Sequence, residues 1–129
     1  MFSIEKAMYG FKLTFGGFIQ ADEMRAWVEE SKKALSAAPA NFSVFIDMRT
    51  LKPLPKESQP IMGEGQKLFK AKGMQRSVVI LNDTITTVQF RRIAKETGID
   101  AWERYIDASK ITNWKEAGEA WLTKSQEPA

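Results

Sequence analysis

The chain has 129 residues, of which 43% are hydrophobic and 27% charged, as is typical of one globular domain that folds without metal or disulfide support. Cysteine and histidine are both absent, which excludes Ser-His-Asp and Cys-His catalysis and every zinc site built on those two residues. The formal net charge of +3 is too small to indicate a nucleic-acid partner.

The same features predict a cytoplasmic protein. The first residues, Met1 to Lys6, lack the basic segment and apolar run of a signal peptide. No apolar run approaches the length that crosses a bilayer. The lack of cysteine suits a reducing compartment.

The first third of the chain predicts a hairpin and a helix. Alternation of Phe11, Leu13 and Phe15 with polar or small residues predicts a half-buried strand, and Gly10 separates it from an antiparallel partner. Asp22 is placed to cap the following helix, which Pro39 stops. Its predicted buried face comprises Met24, Trp27, Val28, Ser31 and Leu35.

The middle of the chain predicts the strand on which the fold is centred. Residues 42–48 are apolar, aromatic and β-branched, which favours a strand buried on both faces. At Asp47 the strand is expected to give way to a polar turn. A second helix then begins at Glu57 or Ser58 and ends at Gly73. Its predicted buried side comprises Ile61, Met62, Gly65, Leu68 and Phe69.

The last third repeats the alternation of strand and helix. Ser77–Leu81 predicts a buried strand, and Asp83 or Thr84 is placed to cap a helix that Gly98 ends. A weaker strand follows at residues 104–107. The last helix is predicted from a capping box of Asn113 and Glu116, with a buried face of Trp114, Ala117, Gly118 and Trp121.

These elements predict an α/β fold of order β-β-α-β-α-β-α-β-α. Strands that alternate with helices pair in parallel, so the sheet should be mixed and mostly parallel, with an antiparallel first hairpin. One domain is expected over residues 1–129, with a frayed end from about residue 124.

The first candidate site is the rim where the two central strands end, beside two helix N-termini that favour an anion. It could hold a small anion or phosphate, or dock a partner. Alternatively, Asp83 and Thr84 only cap a helix and Arg49 pairs with Asp47. The candidate residues are Asp47, Arg49, Lys52, Asn82, Asp83 and Thr84.

The second candidate is a basic stripe on the third predicted helix, opposite its core face. It comprises Val88, Arg91, Arg92 and Lys95, at spacing i, i+3, i+4, i+7. Such a stripe suits an acidic protein surface or anionic lipid headgroups at a membrane surface. An ordinary solvated helix face is the alternative.

Six methionines and eight phenylalanines form the third candidate, since they could line an apolar ligand cavity. Plain core packing is the alternative.

Three segments, FSVFIDMRTLKPLP, SVVILNDTITTVQFRRIAKETGI and ERYIDASKITNWKEAGEAWL, resemble the SpoIIAA-like (STAS/SEC14-type) family of small bacterial proteins. The resemblance covers nearly the whole chain and implies the STAS fold of the anti-anti-sigma factors. In those factors an Asp-Ser-Ser-Gly-like motif follows the strand that matches residues 42–47, and a partner kinase phosphorylates a serine there. The nearest match here is Pro55-Lys-Glu-Ser58, without the acid-serine pair or the glycine, so Ser58 is the one candidate phosphosite. Ser58 is also expected to cap the second helix.

The resemblance implies a non-enzymatic regulatory or protein-interaction domain, and the departure at Ser58 implies one without the phospho-serine switch. No constellation of acids and bases points to catalysis, and no cofactor or metal is expected. The SEC14-like side of the family implies the alternative, a carrier or sensor of an apolar or anionic small molecule such as a lipid.

Overall fold

The computed structural model describes residues 1–128 and confirms the predicted order of elements. A single 3-10 turn, Lys56–Ser58, precedes the second helix. The strands are β1 (Phe2–Ala7), β2 (Gly10–Gly17), β3 (Phe42–Leu51), β4 (Met74–Leu81) and β5 (Glu103–Asp107). The helices are α1 (Ala21–Leu35), α2 (Gln59–Ala71), α3 (Thr84–Thr97) and α4 (Trp114–Lys124).

The five strands form one mixed sheet in the order β1-β2-β3-β4-β5. The β1–β2 hairpin is antiparallel, with Ile4 opposite Leu13, and the other three pairs are parallel. The predicted sheet is therefore confirmed. Its central strand, β3, is buried over most of its length because neighbouring strands and both layers of helices cover it.

Helices cover both faces of the sheet. One core lies beneath α1, α2 and α3, where Trp27 packs between Phe15 and Phe69 with ring centroids 5.2 and 5.9 Å away. A smaller core lies beneath α4, where Trp121 packs with Phe45. The buried face of α1 is the predicted one. The buried faces of α2 and α4 differ in detail. In α2, Gly63 and Gln66 are buried and Leu68 is not. In α4, Leu122 is buried, whereas Trp114 and Ala117 are only partly buried.

The sequence predicted that β3 would end at Asp47, and this prediction is wrong. The strand pairs with β2 as far as Leu51, so Arg49 lies in the strand and not in a turn. Asp47 lies inside the strand, opposite Thr14 of β2 and Ile80 of β4, and its carboxylate pairs with Arg49. The polar turn begins only at Lys52.

The predicted caps of α1 and α4 are also wrong. Gln20 holds the cap position of α1, while Asp22 lies in the first turn and pairs with Arg25 at 3.0 Å. Asn113 holds the cap position of α4 but makes no side-chain cap bond. The predicted cap of α3 is confirmed, because the carboxylate of Asp83 accepts a 3.0 Å hydrogen bond from the backbone N–H of Thr86.

The last residues were predicted to fray from about residue 124. Lys124 is the last residue of α4, and beyond it the carboxylate of Glu127 makes a two-pronged pair with Arg104, at 2.7 and 3.0 Å. Ala129 lies outside the described residues.

Candidate functional site

The rim of the sheet holds a tight pair of charges. The guanidinium of Arg49 donates to both carboxylate oxygens of Asp47, at 3.0 and 2.9 Å, and stacks 4.2 Å from the ring centre of Trp114. Burial alone would raise the pKa of Asp47, but the hydrogen bonds from Arg49 outweigh it and lower that pKa. The pair thus neutralises the charge of Arg49, one of the two basic residues of the predicted site.

The other rim residues are only partly brought together. The side-chain nitrogen of Asn82 lies 3.5 Å from the carbonyl oxygen of Arg49, whereas Lys52 and Thr84 are exposed. The carboxylate of Asp83 is occupied by the backbone and hydroxyl of Thr86. The geometry thus matches the alternative to a binding site, in which Arg49 pairs with Asp47 and Asp83 caps α3. A bound anion at this rim stays a prediction.

Ser58, the candidate phosphosite, is completely buried. Its hydroxyl donates a 2.7 Å hydrogen bond to the carbonyl oxygen of Ile19, in the loop before α1. The prediction that its side chain caps the second helix is wrong, because that hydroxyl makes no cap bond to α2. A kinase would reach this oxygen only after the local structure had opened.

The basic stripe lies on the outer side of α3, but its members have different surroundings. Arg92 pairs with Glu96 at 3.1 Å and also contacts Gln59 of α2. Arg91 turns the other way, 4.5 Å from the ring centre of Tyr105 in β5. Lys95 is exposed.

Two exposed apolar residues adjoin the basic stripe at the start of α3. Ile85 is 63% exposed and Val88 is 62% exposed, and they lie one helical turn apart. The sequence had identified Val88 but not Ile85. The surface of α3 therefore combines an apolar end with a basic end.

Sequence reasoning missed a buried acid beneath this surface. Glu103 of β5 is almost fully buried, and its carboxylate accepts hydrogen bonds from the hydroxyls of Ser77 and Tyr105. Burial raises the pKa of Glu103 to about 7, although both hydrogen bonds oppose the shift. The two-residue period of a strand was the available signal, because it places Glu103 and Tyr105 on the same face of β5.

A solvent-open groove runs between α3 and β5. It consists of two adjoining hollows of about 280 and 480 Å³, and both are lined by Arg91 and Tyr105. Val88 and Asp107 line one end, and Lys95 lines the other. We call it the α3–β5 groove.

The predicted apolar cavity is represented in the main core by a space of only about 20 Å³, lined by Trp27, Gln66 and Glu103 among others. That volume admits one water molecule and no lipid chain. A larger open groove of about 460 Å³ lies at the surface between the β1–β2 hairpin and α4. Tyr9, Phe45 and Trp114 line it.

Comparison with known proteins gives a structural match only. Neither a model of a protein family nor a curated protein matches the sequence. A solved structure of the anti-sigma factor antagonist SpoIIAA in its unphosphorylated form matches over 90% of this chain and 96% of that chain, with a TM-score of 0.57 and 10% sequence identity. The chain has the SpoIIAA-like fold.

The SpoIIAA-like fold confirms what the sequence resemblance implied about architecture. At 10% identity the likeness carries no residue-level role across to this chain. Within residues 1–128, no helix is long and apolar enough to cross a membrane, and no group of three acidic side chains could hold a metal ion.

Proposed function

We propose that this chain is a non-enzymatic protein-interaction domain that docks a protein partner on the outer side of α3. The observation that carries the proposal is the pair Ile85 and Val88, both more than three-fifths exposed, beside Arg91 and Lys95. SpoIIAA, whose fold the chain shares, is described as an antagonist of an anti-sigma factor. That description agrees with a function exerted on another protein.

The chemistry of α3 indicates what kind of partner would fit. Specific interfaces combine apolar contacts with charged residues at their periphery, and arginine is enriched in them. On α3 the apolar residues Ile85 and Val88 lie at one end, and the basic end comprises Arg91, Arg92 and Lys95. A partner with an apolar anchor next to acidic residues would bury the apolar end and complement the charge of the basic end.

The burial of Ser58 supports a domain without a phospho-serine switch. Its hydroxyl is held by Ile19, and exposing it would break that hydrogen bond as well as the packing around it. The two acids at the rim of the sheet also have hydrogen-bond donors, since Asp47 accepts from Arg49 and Asp83 accepts from Thr86. These contacts favour a structural role for the residues that a phospho-switch or a catalytic site would have needed.

Photo-crosslinking tests the proposed surface directly. A photoreactive phenylalanine analogue replaces Val88 in one variant and Phe18 in a control. Phe18 is a suitable control because it is 68% exposed and precedes α1. We expect irradiation in a lysate of the source cells to give a discrete protein adduct from position 88 and none from position 18. Equal adducts from both positions, or none from position 88, would contradict the proposal.

A second candidate function, binding of an apolar anionic small molecule, is favoured by the groove between the β1–β2 hairpin and α4. Its aromatic lining is joined by Lys12 and Lys115. Native mass spectrometry of the purified chain tests this candidate. A lipid-sized addition that is lost on Trp114→Ala would support it, and a mass equal to that of the bare chain would count against it.

A further inference from the structure

The strand β5 forms one edge of the sheet and lies along the α3–β5 groove. It pairs with β4, and no other strand within residues 1–128 pairs with it. Five residues of strand span about 16 Å, so the groove offers room for an extended segment of similar length. An unpaired strand edge is a template on which another chain can add a strand.

The register shows which main-chain groups face away from the sheet. The backbone N–H of Ser77 bonds to the carbonyl of Trp102, and that of Ala108 bonds to the carbonyl of Leu81. In a parallel pair every second residue is bonded to the neighbouring strand, so the even-numbered residues of β5 face β4. Residues 103, 105 and 107 direct their main-chain groups outward.

Tyr105 is the outward residue left for a partner. The N–H of Glu103 bonds to the carbonyl of Ile99, and the carbonyl of Asp107 accepts from Lys110 in the following turn. Tyr105 lies between these two positions and lines both hollows of the α3–β5 groove. A strand laid along this edge would therefore pair at Tyr105.

Charge on both sides of the edge indicates the composition of such a strand. On the α3 side, Arg91 covers the ring of Tyr105 and Lys95 lines the groove. On the α4 side, Arg104 already holds an acidic side chain, that of Glu127. Of the four acids that line the groove, Glu103 turns its carboxylate inward to Ser77 and Tyr105. Asp83 accepts from Thr86, and Asp107 is held by Ser109. The fourth, Asp100, is exposed in the hollow that Arg91, Arg92 and Lys95 also line, so basic side chains outnumber exposed acids there.

We propose that the free edge of β5 receives an extended acidic segment of a protein partner as a sixth strand of the sheet. Main-chain hydrogen bonds at Tyr105 would give affinity, and alternate acidic side chains would meet Arg91 and Lys95, which gives specificity. An apolar residue near one end of the segment would cover Val88. The inference rests on the proposed function and adds the conformation and the composition of the segment that binds.

Amide resonances of the ¹⁵N-labelled full chain test this pairing. The probe is a blocked seven-residue peptide of alternating glutamate and valine, and the matched control is the same peptide with every second amide N-methylated. We expect the probe to shift the amides of β5 and to slow hydrogen exchange at Tyr105. We expect the N-methylated peptide and the variant R91E/K95E each to weaken binding by roughly tenfold or more, since pairing and charge both contribute.

Each outcome bears on the inference. Absence of binding, equal binding of the N-methylated peptide, or shifts confined to α3 would overturn the strand pairing. If the adduct at position 88 forms while β5 is unperturbed, the docking surface stands and only the sixth strand is wrong. If position 88 gives no adduct while the peptide still pairs with β5, the proposed docking face on α3 is wrong.

Discussion

At the scale of single residues, Glu103 is the side chain with the most distinctive chemistry. It is buried beneath α3 with a pKa near 7, compared with an ordinary value of 4.5. Its folded-state pKa is raised, so the folded chain binds this proton more tightly than the unfolded chain does. The stability of the fold must therefore decrease as the pH rises from about 4.5 through about 7.

The size of this effect can be predicted. The free energy of unfolding should decrease by about 2 to 3 kcal/mol between about pH 5 and about pH 8, because burial penalises the carboxylate. The carboxyls with lowered pKa values, such as Asp47 and Asp83, lose their contribution only at lower pH and leave this window unaffected. Urea unfolding at a series of pH values measures the slope.

The variant Glu103→Gln supplies the control for that slope. Its amide can still accept from one hydroxyl and donate to the other, so the hydrogen bonds with Ser77 and Tyr105 can be kept without a buried charge. We expect stability that is nearly independent of pH over the same range, and higher than that of the original chain at about pH 8. An unchanged slope in this variant would show that another group titrates.

At the scale of elements, α2 contains two glycines with opposite roles. A Cβ at Gly65 would lie 2.0 Å from the ring of Trp27, which is itself stacked on Phe69 and meets Phe15 edge to face. A Cβ at Gly63 would meet its nearest neighbours, Thr97 and Ile93, at an ordinary 3.7 and 3.8 Å. Close packing of helix against helix therefore explains Gly65 but not Gly63.

Substitution of these two glycines by alanine should change the stability of the fold in opposite directions. Gly63→Ala should stabilise the chain by roughly 0.5 to 1 kcal/mol, because alanine is the better helix former. Gly65→Ala should destabilise it by about 1 to 3 kcal/mol, because Trp27 cannot move without disturbing the core. Thermal unfolding of the two variants measures both. A melting temperature that rises for Gly65→Ala would show that the ring of Trp27 has room to shift.

The helix caps offer a second matched pair. Asp83→Ala removes a carboxylate that accepts from Thr86, and should cost about 1 kcal/mol. Asn113→Ala removes a side chain that makes no cap bond, and should cost much less. Equal losses on urea unfolding would indicate that the side chain of Asn113 does cap α4 in solution.

These elements show how far the sequence could be interpreted. The order and faces of the strands and helices followed from local patterns, such as the apolar run of β3 and the helical spacing that buries Trp27. The caps at Asp22 and Asn113 were wrong because a polar residue near a helix start has several partners available, and Asp22 takes Arg25. Local sequence identifies candidates for a cap but does not choose among them.

The site was harder to predict than the fold because its contacts join distant parts of the chain. Ser58 binds Ile19, 39 residues earlier, and Glu103 binds Ser77, 26 residues earlier. A local sequence pattern does not show partners so far along the chain. The sequence therefore predicts Ser58 as a cap and does not identify Glu103 as a buried acid. The division of the stripe between Arg91 and Arg92 likewise depends on β5 and α2, which lie on opposite sides of α3.

At the scale of the whole molecule, the proposed docking surface on α3 lies apart from the ion pair at the rim of the sheet. Helices α1 and α2 are joined to the sheet through the main core, and the rim charges at Asp47 and Arg49 neutralise each other. Among the described residues, Ile85 and Val88 are the two exposed large apolar side chains that lie on a helix, and they adjoin the basic residues of α3 beside the open edge of β5. The central claim of this account is that a protein partner binds there.

The affinity of the protein crosslinked through position 88 tests that claim most directly. Isothermal titration would compare the original chain with R91E/K95E, which reverses two charges in the α3–β5 groove, and with K32E/K33E, which makes the same change in net charge on α1. We predict that the dissociation constant rises roughly tenfold or more for R91E/K95E and stays the same for K32E/K33E. Equal dissociation constants for the two variants would contradict the account.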